Sequence, residues 1–156
     1  MTIRKADIND AEGILKLLQQ VAEIHHRGRP DIFRQGAQKY NRENLADILA
    51  DSQRPVLVAV DAENSVLGYA FCMIHEVQEH PLLMDDKYIY IDDLCVEEEM
   101  RGQHIGKALL DAVRDYARAI GCRRLTLNVW ACNPSARAFY DKNGFTPLET
   151  TLEQHL

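Results

Sequence analysis

A chain of 156 residues, 46% hydrophobic and 27% charged, is long enough to enclose one sizeable core and has the composition of an ordinary globular domain. Its net charge of -6 works against nucleic acid and anionic membranes as partners, although Arg101, Lys107, Arg114, Arg118, Arg123 and Arg124 can form a local basic patch suited to a polyphosphate. No apolar run reaches the roughly 20 residues of a membrane-spanning helix. Arg4, Lys5, Asp7 and Asp10 stand where a signal peptide needs an apolar core, which predicts a cytoplasmic protein.

In chain order, Thr2 to Ala6 alternates like a short edge strand, and Asp7 or Asn9 can cap the helix after it. Ala11, Ile14, Leu17, Leu18, Val21 and Ile24 recur at helical spacing, predicting an amphipathic helix that Gly28 and Pro30 end. The connection from His25 to Phe33 keeps Ile32 and Phe33 as apolar anchors. A second helix is expected from Asn41, with Leu45, Ile48 and Leu49 on one face and Pro55 beyond its end. Val56–Val60 and Val66–Val77 read as an antiparallel pair joined by the polar turn Asp61–Ser65, and the polar stretch from Gln78 to Lys87 as a loop. Tyr88–Val96 is rich in β-branched and aromatic residues and predicts a buried strand. A turn from Glu97 to Gly106 leads into a helix carrying Ile105, Leu109, Ala112, Val113, Tyr116 and Ile120, which Gly121 stops.

Arg123–Trp130 alternates and should lie parallel to Tyr88–Val96 through a right-handed crossover. Asn133 then caps a short helix with Pro134 at its first position, and Phe145–Leu148 and Thr150–Gln154 are expected to close the sheet. With no repeats or low-complexity linkers, residues 1–156 read as one domain. Cys72, Cys95, Cys122 and Cys132 lie in apolar segments without a C-x-x-C pair, so buried free thiols are expected and no metal site is implied.

The strand, glycine-bearing turn and helix around Gly102 form an anion site, because the first turn of a helix leaves N–H groups unpaired at the positive end of its dipole. A Walker loop fails here: Gly102 to Gly106 is one residue short, and Lys107 is followed by Ala108. A dinucleotide fingerprint lacks one of its glycines. Arg101-Gly102-Gln103-His104-Ile105-Gly106 instead resembles the pyrophosphate loop Q/R-x-x-G-x-G/A of the GNAT superfamily of acyl-CoA N-acyltransferases, with His104 in place of the first signature glycine. Asn133-Pro134-Ser135-Ala136-Arg137-Ala138-Phe139-Tyr140, followed by Gly144-Phe145, resembles the second cofactor segment of the same family, Asn-x-x-Ala-x-x-Phe-Tyr and Gly-Phe.

The resemblance covers essentially the whole chain. It implies a mixed α/β fold of the α+β-like GNAT type: a central mixed six- to seven-stranded sheet, helices on both faces, and two parallel central strands that splay apart. The cofactor implied is acetyl-CoA. Its pantetheine arm would lie along Leu94, Cys95 and Val96, and its diphosphate on Arg101, Gly102, Gln103, His104, Ile105, Gly106 and Lys107, with Asn133, Ser135 and Tyr140 alongside. In this family the loop between the first two helices walls the acceptor pocket, which brings in His25, His26 and Phe33, together with Asp92 and Trp130.

An alkylamine with a pKa of about 10.4 must lose a proton before it attacks a thioester. Asp92 and Asp93 are adjacent on a strand and are therefore expected on opposite faces. Tyr90–Val96 resembles the corresponding strand of spermidine/spermine N-acetyltransferases, where the acid is a glutamate, and this selects Asp92 as the base, directly or through water. The same family resemblance makes Tyr140 the acid for the leaving thiolate and gives the oxyanion to backbone N–H groups at Leu94 or Cys95. The acceptor is then a small-molecule or peptide amine, with Glu76, Glu79, Asp85, Asp86 and Asp92 favouring a cationic one. A homodimer is common among resembling proteins. The alternative is an acyl-CoA-binding sensor or interaction module without turnover.

Overall fold

Five segments that carry aliphatic, β-branched or aromatic residues pair in the order in which the chain makes them. In the computed structural model, which describes residues 1–156, these are β1 (Thr2–Lys5), β2 (Val56–Val60), β3 (Val66–Val77), β4 (Asp86–Val96) and β5 (Arg124–Leu127). The first four run antiparallel to their neighbours, whereas β5 lies parallel to β4, as the intervening helix requires.

The helices are α1 (Ala11–Gly28), α2 (Arg42–Ala50), α3 (Ile105–Ala119) and α4 (Pro134–Lys142). Asp7 caps a short 3-10 turn that runs into α1, and Asn41 and Asn44 form a reciprocal capping box on α2. α1 lays Ile14, Leu17 and Leu18, one apolar stripe, on Val58, Tyr69 and Phe71, with Leu45 and Ile48 of α2 completing that core. α3 buries Leu109, Leu110 and Val113 on the opposite face, against Ala59, Ala70, Ile89 and Ile91. The expected mixed α/β architecture with helices on both faces is therefore present.

The sheet holds five strands rather than six or seven. Phe145–Leu148 and Thr150–Gln154 join no ladder. Pro147 has no N–H to donate, and Leu148 and Leu152 remain 71% and 87% exposed, so the segments gain too little apolar burial to offset the entropy of ordering a strand. β5 also covers only Arg124–Leu127 of the expected Arg123–Trp130. No helix is long and apolar enough to cross a membrane.

One buried charge ties the start of the chain together. Asp10, 3% exposed, accepts hydrogen bonds from both Arg4 guanidinium nitrogens at 2.7 and 2.8 Å and from the Asp7 N–H at 2.8 Å. Burial pushes its pKa up, but these donors and the Arg4 charge outweigh burial and hold it below the usual carboxylate value.

Candidate active site

The ladder between β4 and β5 runs from Tyr88↔Arg124 to Ile91↔Leu127 and stops there. β4 continues to Val96, so Asp92 to Val96 present a backbone edge with no strand beside it. On its other side β4 stays paired with β3, yet the register passes from Phe71↔Asp93 directly to Cys72↔Ile91. Asp92 is the extra residue of a β-bulge.

That bulge corrects the expectation that the two aspartates face opposite ways. Ile91 belongs to the core under α3, and Asp93 lies opposite Phe71, which belongs to the core under α1 and α2. With one surplus residue between them, alternation is reset and both Asp92 and Asp93 turn to the α1–α2 side. Cys95 points the same way. It is buried, its thiol pushed up to about 12 by burial, and only its backbone borders the free edge. Gln20 of α1 fastens this end of β4, donating to the Val96 carbonyl at 3.1 Å and accepting from the Glu98 N–H at 3.1 Å.

The turn beyond β4 exposes a run of amides. Gly102 (φ 80°) and His104 (φ 63°) are left-handed, and His104 occupies the cap position of α3 without a side-chain hydrogen bond. No N–H from residue 102 to residue 107 donates to a protein group, the ladder of α3 beginning with the Ala108 N–H on the His104 carbonyl at 3.0 Å. Left-handed residues that turn successive amides inward, followed by a helix N-terminus, make an anion nest. Arg101 is exposed and makes no ion pair, whereas Lys107 is paired with Asp111. Asn133 Oδ1 caps α4 by accepting from the Ala136 N–H at 3.1 Å, and the Ser135 hydroxyl donates to it at 3.0 Å.

Tyr140 sits between Phe139 and Phe145, with ring centroids 5.2 and 5.4 Å away, and its hydroxyl makes no hydrogen bond to protein. Burial, then the negative charge of Asp93, pushes its pKa up, so the phenol keeps its proton. Asp93 accepts a hydrogen bond from the Tyr69 hydroxyl at 2.9 Å. Burial raises its carboxyl to about 6, against the pull of Lys39 and Tyr69. Lys39, from the connection between α1 and α2, places Nζ 2.8 Å from Asp92 Oδ2. Burial favours the neutral amine there, but Asp92, with Asp93 behind it, holds the ammonium above its ordinary pKa.

His25, Phe33 and Trp130 form one aromatic cluster, with centroid separations of 4.9 and 5.0 Å along the chain of rings. Burial, then the positive charge of Lys39, lowers the pKa of His25. His26 is spent differently: its Nδ1 donates to the Phe33 carbonyl at 2.7 Å and holds the loop. Gly28 allows the turn after β5 to reach α1, since a Cβ there would stand 2.7 Å from Cys132 Sγ.

The model of the Acetyltransferase (GNAT) family matches residues 18–145. This chain belongs to the GNAT acetyltransferase family. It is 30% identical over 148 residues to the uncharacterized N-acetyltransferase YhfO of Bacillus subtilis (strain 168), covering 93% of this chain and 89% of that one. It is 28% identical over 144 residues to glucosamine 6-phosphate N-acetyltransferase 1 of Oryza sativa subsp. japonica, covering 92% and 79%. A mutant of the BH1408 protein from Bacillus halodurans superposes with a TM-score of 0.95 at 32% identity, over 100% of this chain and 99% of that one.

Two residues of this candidate site escape sequence reasoning. Lys39 is one lysine in a polar loop, with no pattern around it. Gln20 lies on the polar side of an amphipathic helix, where a glutamine carries no signal. The orientation of Asp93 has a faint one: an acid beside another acid in a β-rich run disturbs alternation, as a bulge does.

Proposed function

We propose that this chain is an acetyl-CoA-dependent N-acetyltransferase that acts on a primary amine of a small molecule or peptide by direct attack in a ternary complex. The observation that carries this is the meeting of two features: a β4 edge free from Asp92 to Val96, and six consecutive unpaired amides from Gly102 to Lys107 just beyond it. The edge suits an extended amide-bearing arm that adds like a strand, and the amides suit a diphosphate. Bound acetyl-CoA would supply the activated acetyl group and the thiolate leaving group.

The residues of the chain divide the rest of the work. Arg101 and the 102–107 amides hold the diphosphate, with Asn133 and Ser135 flanking it, while the backbone of Leu94, Cys95 and Val96 aligns the arm. Asp92 binds the amine as a cation. Asp93, raised to about 6, accepts its proton through water at neutral pH, and Tyr140, kept protonated, gives a proton to the departing sulfur. His25, Phe33 and Trp130 make an apolar wall for the carbon skeleton of the acceptor. Paired carboxylates favour a cationic amine, of which a polyamine is one example. The cytoplasm fits an enzyme with four free cysteines, and a homodimer is compatible with a site built from one chain.

The test is release of free thiol from acetyl-CoA across a panel of amines. Tyr140→Phe is expected to lower kcat about 10- to 100-fold with little change in KM. Acetyl-CoA binding without thiol release from any amine would make the chain an acyl-CoA sensor and overturn the proposal.

A further inference from the structure

Lys39 is the lysine that stands at the paired carboxylates. Its neighbours fix it there: Tyr40 packs on Phe71 with centroids 5.9 Å apart, and Arg54 donates to the Tyr40 hydroxyl at 3.3 Å. The preceding part of the loop is tied down by His26 and by the pairing of Arg29 with Asp31. From this anchored position the ammonium lies 2.8 Å from Asp92 and 5.4 Å from the centre of the Tyr40 ring. Asp92 is the first residue of the free β4 edge. Lys39 is itself 40% exposed at its side chain, but Lys16 pairs with Glu97 and Lys107 with Asp111, so neither of those two pairs with Asp92 or Asp93. Lys39 therefore reproduces, on a tether, the group that an acceptor must offer: a primary alkylamine held by a carboxylate beside the thioester track.

We propose that Lys39 is an internal acceptor, acetylated on Nζ by the acetyl-CoA bound to its own chain. This rests on the acetyltransferase function proposed above. Lys39 Nζ gives a proton, through water, to the Asp93 carboxylate, and its lone pair forms a C–N bond to the acetyl carbonyl carbon. The nitrogen then loses its second proton to solvent, the C–S bond breaks, the sulfur takes the hydroxyl proton of Tyr140, and the proton held by Asp93 restores the phenol. The products are Nε-acetyl-Lys39, coenzyme A thiol and one proton, with no net oxidation or reduction. The tether supplies the proximity that a free amine must obtain by binding. Acetylation also removes the charge that occupies Asp92 and so opens that carboxylate to an external cation.

The experiment is lysine-by-lysine mass spectrometry of the purified chain incubated with acetyl-CoA, alongside thiol release with the amine panel. Lys39 is expected to gain about 42 Da at least about tenfold faster than Lys16, Lys107 and Lys142, at a rate unchanged by diluting the protein. Asp93→Asn, checked for folding by circular dichroism, is expected to slow Lys39 to the pace of the surface lysines. Modification of Lys39 no faster than the surface lysines, equally fast in Asp93→Asn, or slowing with dilution would overturn the proposal. Thiol release with an external amine while Lys39 stays unmodified would leave the acetyltransferase function standing and remove only the internal acceptor. Calorimetry showing no affinity for acetyl-CoA would remove both.

Discussion

Replacing Asp93 by asparagine should make the protein more stable and nearly inactive. Burial lifts this carboxyl from 3.8 to about 6, so the folded chain holds the proton that the unfolded chain releases. Between those pH values the folded state binds more protons, and stability falls as pH rises, levelling off above about 6. The gap corresponds to about 3 kcal/mol at pH 8 and about 1 kcal/mol at pH 4.5. An asparagine side chain cannot ionise, and its amide oxygen can still accept from Tyr69, so Asp93→Asn should exceed wild type by about 1–3 kcal/mol at pH 8. The advantage should shrink by about 2 kcal/mol at pH 4.5. Urea unfolding at the two pH values measures this directly. In thiol-release assays the wild-type kcat/KM should rise to a plateau with an inflection near 6, and Asp93→Asn should fall by about 100-fold or more. Equal stability gains at both pH values, or an unchanged kcat/KM, would refute the assignment of a raised, proton-accepting carboxylate.

Three further outcomes are expected. His104→Gly removes a left-handed side-chain-bearing residue (φ 63°) and should stabilise the fold by about 0.5–1 kcal/mol in thermal melts while tightening acetyl-CoA binding in calorimetry. Gln20→Ala leaves the Val96 carbonyl and Glu98 N–H without their partner. It should cost about 1–2 kcal/mol and speed amide exchange at the end of β4. Asp10→Asn should lose about 2–3 kcal/mol at neutral pH, because it weakens a buried carboxylate–guanidinium pair. Since the Asp10 pKa is depressed, the wild-type advantage is present above 3.8 and disappears as pH falls through its lower folded value, which acid titration of both proteins will show.

Most of the architecture was legible because burial leaves a periodic trace. Ile14, Leu17 and Leu18 on α1, and Leu109, Leu110 and Val113 on α3, repeat at helical spacing because each set lies on one face of the sheet. Asn41 and Asn133 announced their helices through local capping chemistry. The failures lie where long-range pairing decides. Phe145–Gln154 has strand-like composition, yet no neighbour and no burial hold it in a ladder. The left-handed turn from Arg101 to Gly106 was readable because its shape depends on local backbone, whereas the orientation of Asp92 and Asp93 depends on the register against β3, which no local pattern states. The approach of Lys39 to Asp92, 53 positions apart, depends on a loop path with no periodicity at all.

The surplus residue in β4 gives the chain an unusual tolerance. Within a strand, losing one position normally inverts every side chain on one side of the cut. Here Ile91 and Asp93 already face consecutive partners, Cys72 and Phe71, so excising Asp92 would leave both halves of the strand in phase with their neighbours. The sheet could be built with a chain shorter by one, and the residue it does not need for folding is the acid that holds Lys39.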